Sequence, residues 1–235
     1  MLSPAAHRVF ATVLLVASLA FTSGAESAGA PETWDGLVQV KSKRLEAVYV
    51  LPGADFSGYR KVMLDSAEVA FNKNWTRQMQ RDPALRVSDA DAQRIAAAAQ
   101  SGFDDVFVKE FNKAGYEVVS QAGPDVLRLS PGLANLYINA PDVRSSTVAR
   151  QYVVSAGEAT LVLEARDSVT GALLARAVDR RETRRWATPV LSSSVTNRAD
   201  FQSLFEQWAS VTVKGMQDII ELGAVPADLK PKEKL

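Results

Sequence analysis

Hydrophobic residues in this chain recur with two periods, and the changes of period mark its elements. Ala159-Thr-Leu-Val-Leu-Glu-Ala-Arg166 and Ala172-Leu-Leu-Ala-Arg-Ala-Val-Asp179 alternate at period two around Asp167-Ser168-Val169-Thr170-Gly171. That pattern predicts a β-hairpin, with Asp167 capping the turn and Gly171 taking a positive φ. Leu161, Leu163, Ala165, Leu173, Ala175 and Ala177 then share one face, and Glu164, Arg166, Arg176 and Arg180 the other. Helical spacing links Ala92, Ile95, Ala96, Ala99, Phe103, Val106 and Phe107, with Ser88, Asp89 and Asp91 to start a helix and Gly115 to stop it. A second helix is predicted over 199–222, its stripe formed by Phe201, Leu204, Phe205, Trp208, Val211, Gly215, Ile219 and Leu222. Gly215 reads as a point of close approach, and Gly223 as the end.

Shorter apolar runs complete the pattern. Leu45 to Val50, a stretch within Tyr59 to Phe71, Tyr116 to Val119, Val126 to Leu129 and Leu133 to Ile138 all read as strands. Pro131-Gly132 is expected to separate the last two. Residues 75–86 are polar and ambiguous, 183–198 form a polar loop, and 223–235 a disordered tail. Strands, helix, strands, hairpin and helix, in that order, predict an α+β fold. It is a two-layer α/β sandwich, with a mixed or antiparallel sheet carrying two main helices on one face. Residues 26–222 are taken as one globular domain.

Residues 1–25 read as a secretory signal: His7 and Arg8, then the uncharged run Val9 to Phe21, then Ser23-Gly24-Ala25 before the cleavage point. Thirteen apolar residues are too few to span a bilayer, which takes about 20. No later stretch approaches that length, so no transmembrane segment is expected in the mature chain. His7 is the only histidine and there is no cysteine. A mature chain without imidazole or thiol excludes serine–histidine and cysteine–histidine catalysis and histidine-ligated zinc. Of 27 basic and 27 acidic residues, signal removal takes only Arg8, leaving 26 against 27. Such a balance argues against nucleic acid as a partner. No cofactor, metal or catalytic residue is expected.

Three segments carry a family likeness: Leu51-Pro-Gly-Ala-Asp-Phe-Ser-Gly-Tyr-Arg-Lys-Val62, Ala114-Gly-Tyr-Glu-Val-Val119 with Gly123-Pro-Asp-Val-Leu-Arg-Leu129, and the hairpin Glu164 to Arg176. Together they resemble a bacterial envelope family known only as a domain of unknown function, number thirty-three thirteen. The resemblance spans residues 45–222 and implies fold and envelope location, not activity. Members often look like lipoproteins; here the lipid-bearing cysteine is missing.

The remaining chemistry lies in acids and arginines. Asp89/Asp91 and Asp104/Asp105 are the closest acid pairs, and capping and solvation explain them better than convergence across a sugar. Arg176, Arg180, Arg184 and Arg185 with Trp186 form the candidate binding surface, since guanidinium forks grip carboxylate or phosphate and aromatic rings anchor interfaces. The competing reading pairs these arginines, and Arg181, with Glu164, Asp179 and Glu182 across strands. The function expected is an exported, non-enzymatic periplasmic protein that binds an envelope protein or an anionic envelope component. On that view, reversing Arg176, Arg180 and Arg184 to glutamate weakens binding and leaves the melting temperature nearly unchanged. A histidine-free glycan hydrolase and a small-molecule carrier are the alternatives, the carrier ranked last because the many alanines point to tight packing. The oligomeric state is left open.

Overall fold

The computed structural model describes residues 30–81, 87–141 and 152–235. The predicted signal over 1–25 lies outside them. In chain order the elements are β1 (Thr33–Trp34), β2 (Leu37–Val40), β3 (Ala47–Val50), β4 (Lys61–Leu64), β5 (Glu68–Phe71), α1 (Trp75–Arg81), α2 (Asp89–Lys113), β6 (Glu117–Val118), β7 (Val126–Ile138), β8 (Tyr152–Val153), β9 (Gly157–Asp167), β10 (Leu173–Glu182), β11 (Val190–Leu191) and α3 (Ser194–Leu222). The main sheet runs β1-β2-β3-β10-β9-β7-β4-β6, with β5 also on β7, and β8 and β11 form a separate ribbon. β4 is parallel to β6 and β7, as β5 is to β7, and the other pairs are antiparallel. The fold is α+β with a mixed sheet, as the periodicity predicts. Both long helices contribute to one core on one sheet face, where Phe103, Phe107, Phe205 and Trp208 meet Leu129, Leu133, Leu161 and Leu163.

Helix α2 begins where its sequence says. Ser88 Oγ accepts the Asp91 N–H and the Asp91 carboxylate accepts the Ser88 N–H, a reciprocal cap. Those bonds, with Arg94, hold the Asp91 carboxyl below its usual range. Helix α3 starts five residues before the predicted 199, because Ser193 and Thr196 make the same box. Ser193, read as loop, is its cap. In the hairpin, Asp167 Oδ1 accepts from the N–H groups of Val169 and Thr170, and Gly171 sits at φ 72°.

Four expectations are corrected. Pro131-Gly132 does not break β7, which runs unbroken from Val126 to Ile138. The Leu129 carbonyl accepts from Asp65 on the β4 side, and alternate residues point the same way. The missing N–H of Pro131 therefore faces the gap between β4, which ends opposite Leu129, and β5, which begins opposite Gly132. Leu173 changes face: a register shift before Ala175 puts Leu174 in the main core and Leu173 with Tyr49 and Val178 on the other side. The polar stretch 75–81 is helix α1, fixed by a buried Trp75 that donates to the Ile138 carbonyl and stacks on Phe71; 82–86 lie outside the described residues. The tail is ordered. Val225 and Leu229 are buried, Val225 N–H donates to Ala54, and Lys232 N–H donates to the Gln39 carbonyl.

Candidate functional site

The arginines singled out from the sequence are mostly spoken for by acids. Arg176, on β10, is 7% exposed. Its Nε and Nη2 reach Glu164 Oε1 at 3.1 and 2.6 Å, Nη1 reaches Asp35 Oδ2 at 2.8 Å, and the guanidinium lies 4.1 Å from the Trp34 ring centre. It is enclosed and neutralised, so it offers nothing to a ligand. Arg180 is held in a two-pronged bond to Glu158 at 2.7 and 2.8 Å, which raises its pKa further. Arg181 donates to Asp179.

Arg184 and Arg185 differ from Arg180 in their acid contacts, which are looser, to Asp200 at 3.8 Å and Glu182 at 3.4 Å; in exposure the three are alike, at 61%, 69% and 63%. Trp186 folds back, donating its indole N–H to Asp200 on α3 at 3.3 Å, and its ring carries the Arg184 guanidinium 3.7 Å from the centre. The structure thus splits the candidate group: Arg176 and Arg180 are tied up in the sheet, while Arg184, Arg185 and Trp186 cluster beside the start of α3. Three of the four paired acids are occupied: Asp89 accepts from Gln80, Asp91 caps α2, and Asp104 accepts the Ala67 N–H, while Asp105 is exposed.

A cavity that the sequence reading ranked last occupies the inner face. About 660 Å³ lies between the sheet and the second half of α3, within the range of small-molecule sites. Its floor is Val48, Leu163, Ala165, Ala175 and Ala177, and its roof is Val211, Gly215, Met216 and Ile219. Ala165, Ala175 and Ala177 sit mid-sheet on the face the helices cover, yet each is only partly buried. Gly215 does not bring α3 down onto the sheet: a Cβ placed there would meet nothing within 4 Å. Small residues on both layers leave the space between them unfilled. The expected tight alanine packing is corrected on this point.

The cavity's polar features lie at its mouth; Thr212 borders it, but its hydroxyl oxygen is closed off from solvent and has no partner among the described residues. Lys41, Lys43, Arg44 and Lys234 stand at its rim. Arg44 pairs with Asp218; the three lysines have no ion pair among the described residues. The ordered tail places Lys234 and Leu235 there, through the Lys41 N–H to Glu233 carbonyl bond. Sequence reasoning missed this site. Its available signal was small residues at facing positions of the hairpin and α3, next to a basic stretch at 41–44.

Among the described residues no helix is long and apolar enough to cross a membrane. No curated protein matches the chain. Among solved structures, a protein of family DUF330 from Xanthomonas campestris is 14% identical, with a TM-score of 0.41 over 72% of this chain and 93% of that one. A PelC dodecamer from Paraburkholderia phytofirmans is 12% identical, with a TM-score of 0.29 over 68% and 96%. A minor lipoprotein from Acinetobacter baumannii is 10% identical, with a TM-score of 0.31 over 67% and 94%. Residues 26–211 match the family described as protein of unknown function, DUF3313, and the chain belongs to that family.

Proposed function

We propose that this is an exported, non-enzymatic binding protein of the bacterial envelope, holding an apolar ligand between its sheet and α3. The observation that carries the reading is the gap itself: partly bare Ala165, Ala175 and Ala177 opposite an uncontacted Gly215. A hollow of about 660 Å³ with an apolar floor and roof has the size and lining of a small-molecule site. Export rests on the signal-like residues 1–25. A non-enzymatic role is supported by a mature chain without histidine or cysteine and by acids engaged in caps and turns.

The test uses N-phenyl-1-naphthylamine, a neutral probe that fluoresces when shielded from water. It is expected to bind the protein, and Gly215→Leu is expected to abolish binding while raising stability. Replacing a helix-interior glycine removes a propensity cost of about 0.5–1 kcal/mol, and the new side chain fills the hollow. Loss of binding with a higher melting temperature separates occupation of the site from unfolding. Unchanged probe binding in Gly215→Leu sinks the proposal.

A second reading, a protein partner at 184–186, is favoured by the exposed Arg184 guanidinium stacked on Trp186. A photo-crosslinker at position 186, with a control at Lys232, is expected to give a discrete adduct in cells from the first site only. Adducts from both sites, or from neither, remove this surface from consideration.

A further inference from the structure

We infer that the cavity takes a single-chain anionic amphiphile, its apolar chain between sheet and helix and its charged end at the lysine rim. The inference rests on the proposed use of the cavity and adds the ligand's class. Two observations point the same way. The walls are aliphatic, from Val48 and Leu163 on the sheet to Val211 and Ile219 on α3, and so match a chain without hydrogen-bonding groups. The mouth carries Lys41, Lys43 and Lys234 without acid partners, while Arg44 is already matched by Asp218. Counting Asp218 and the carboxylate of Leu235 against them, the rim keeps a surplus of positive charge.

A neutral hydrophobe satisfies the walls and leaves the rim unused. A compact anion such as free phosphate does the reverse. Only a molecule with both parts uses the whole site, with ammonium–oxyanion hydrogen bonds stronger than neutral ones. Carboxylate and monoester phosphate heads share this chemistry.

The experiment displaces N-phenyl-1-naphthylamine from the full mature chain with dodecanol, dodecanoate or dodecyl phosphate at neutral pH. At least one anionic chain is expected to compete about tenfold or more better than dodecanol, the range for a hydrogen bond to a charged group. Comparing dodecanoate with dodecyl phosphate identifies the head. Lys41→Gln/Lys43→Gln/Lys234→Gln is expected to erase the advantage without changing the affinity for dodecanol. If the probe binds and is lost in Gly215→Leu, but dodecanol competes as well as the anions, the ligand class is wrong and the cavity reading survives. An anionic advantage that persists in the triple variant overturns the rim assignment. No probe binding at all overturns both.

Discussion

Arg176→Glu is expected to destabilise the protein by about 3–5 kcal/mol, the cost of breaking a buried ion pair. The guanidinium it removes bonds Glu164 and Asp35 and lies on the Trp34 ring. The glutamate it introduces takes a buried position beside those same two acids, Glu164 partly buried and Asp35 more exposed. For a chain of this size the melting temperature falls by roughly 6–20 °C, a large share of a typical 5–15 kcal/mol total. Arg184→Glu and Arg185→Glu, mostly exposed, are expected to stay within about 0.5 kcal/mol. Urea denaturation of the three variants checks the contrast, and equal effects would show that enclosure of Arg176 does not govern its role. A double variant, Arg176→Met with Glu164→Met, is expected to recover most of the loss, because apolar pairs often replace buried ion pairs without cost. The pH dependence follows from the same contact. Burial alone would raise the Glu164 carboxyl, but the bonds from Arg176 and Arg166 outweigh it and hold it below its ordinary 4.5. Its pKa is thus lower folded than unfolded. The stability it contributes is complete above about pH 4.5 and is lost as pH falls through the depressed folded value. The double variant should lack that part of the acid-side slope.

What could be read from the sequence was local. The hairpin needs only alternation and the Asp167–Gly171 turn chemistry, and the start of α2 needs only Ser88 and Asp91 three residues apart; both are encoded within a few residues. Partners distant in sequence decided the rest. Whether Pro131 breaks a strand depends on where β4 and β5 end on the neighbouring edge. Whether Leu173 faces the core depends on one register shift. Arg176 reads as an exposed fork by alternation alone, and only the return of β1, 141 residues earlier, buries it under Asp35 and Trp34. The cavity is the clearest case. Alanine opposite glycine means close packing if the layers approach and a hollow if they do not. The chain resolves that choice through the large side chains that prop α3 elsewhere, Phe201, Phe205 and Trp208 among them. No periodicity records that outcome.

Among these props, Trp208 is fixed by one carboxylate, and its removal is the second large effect expected. Asp179 on β10 is buried. Its Oδ2 accepts from the Trp208 indole at 2.8 Å and from Arg181 Nε at 2.5 Å, while Oδ1 accepts the Glu46 N–H at 2.9 Å. One side chain thereby joins β10, α3 and the approach to β3. Asp179→Ala strands a fully buried indole N–H and takes the carboxylate from Arg181, which keeps only its bonds to the Arg44 carbonyl and Gln207, and about 3–5 kcal/mol of stability goes with them. Asp179→Asn keeps an oxygen that can accept one of these donors and drops only the charge, so about 1–3 kcal/mol is expected. Denaturation followed by tryptophan fluorescence measures both, and equal losses would mean that the charge alone matters. The ligand site supplies an independent readout. Val211, one turn beyond Trp208, lines the cavity roof, so releasing the indole lets that end of α3 settle or tilt. In the asparagine variant, under conditions where it is fully folded, N-phenyl-1-naphthylamine is expected to bind severalfold more weakly. Binding that is unchanged there would mean that the cavity is held open by the remaining aromatic contacts, with Asp179 contributing to stability alone.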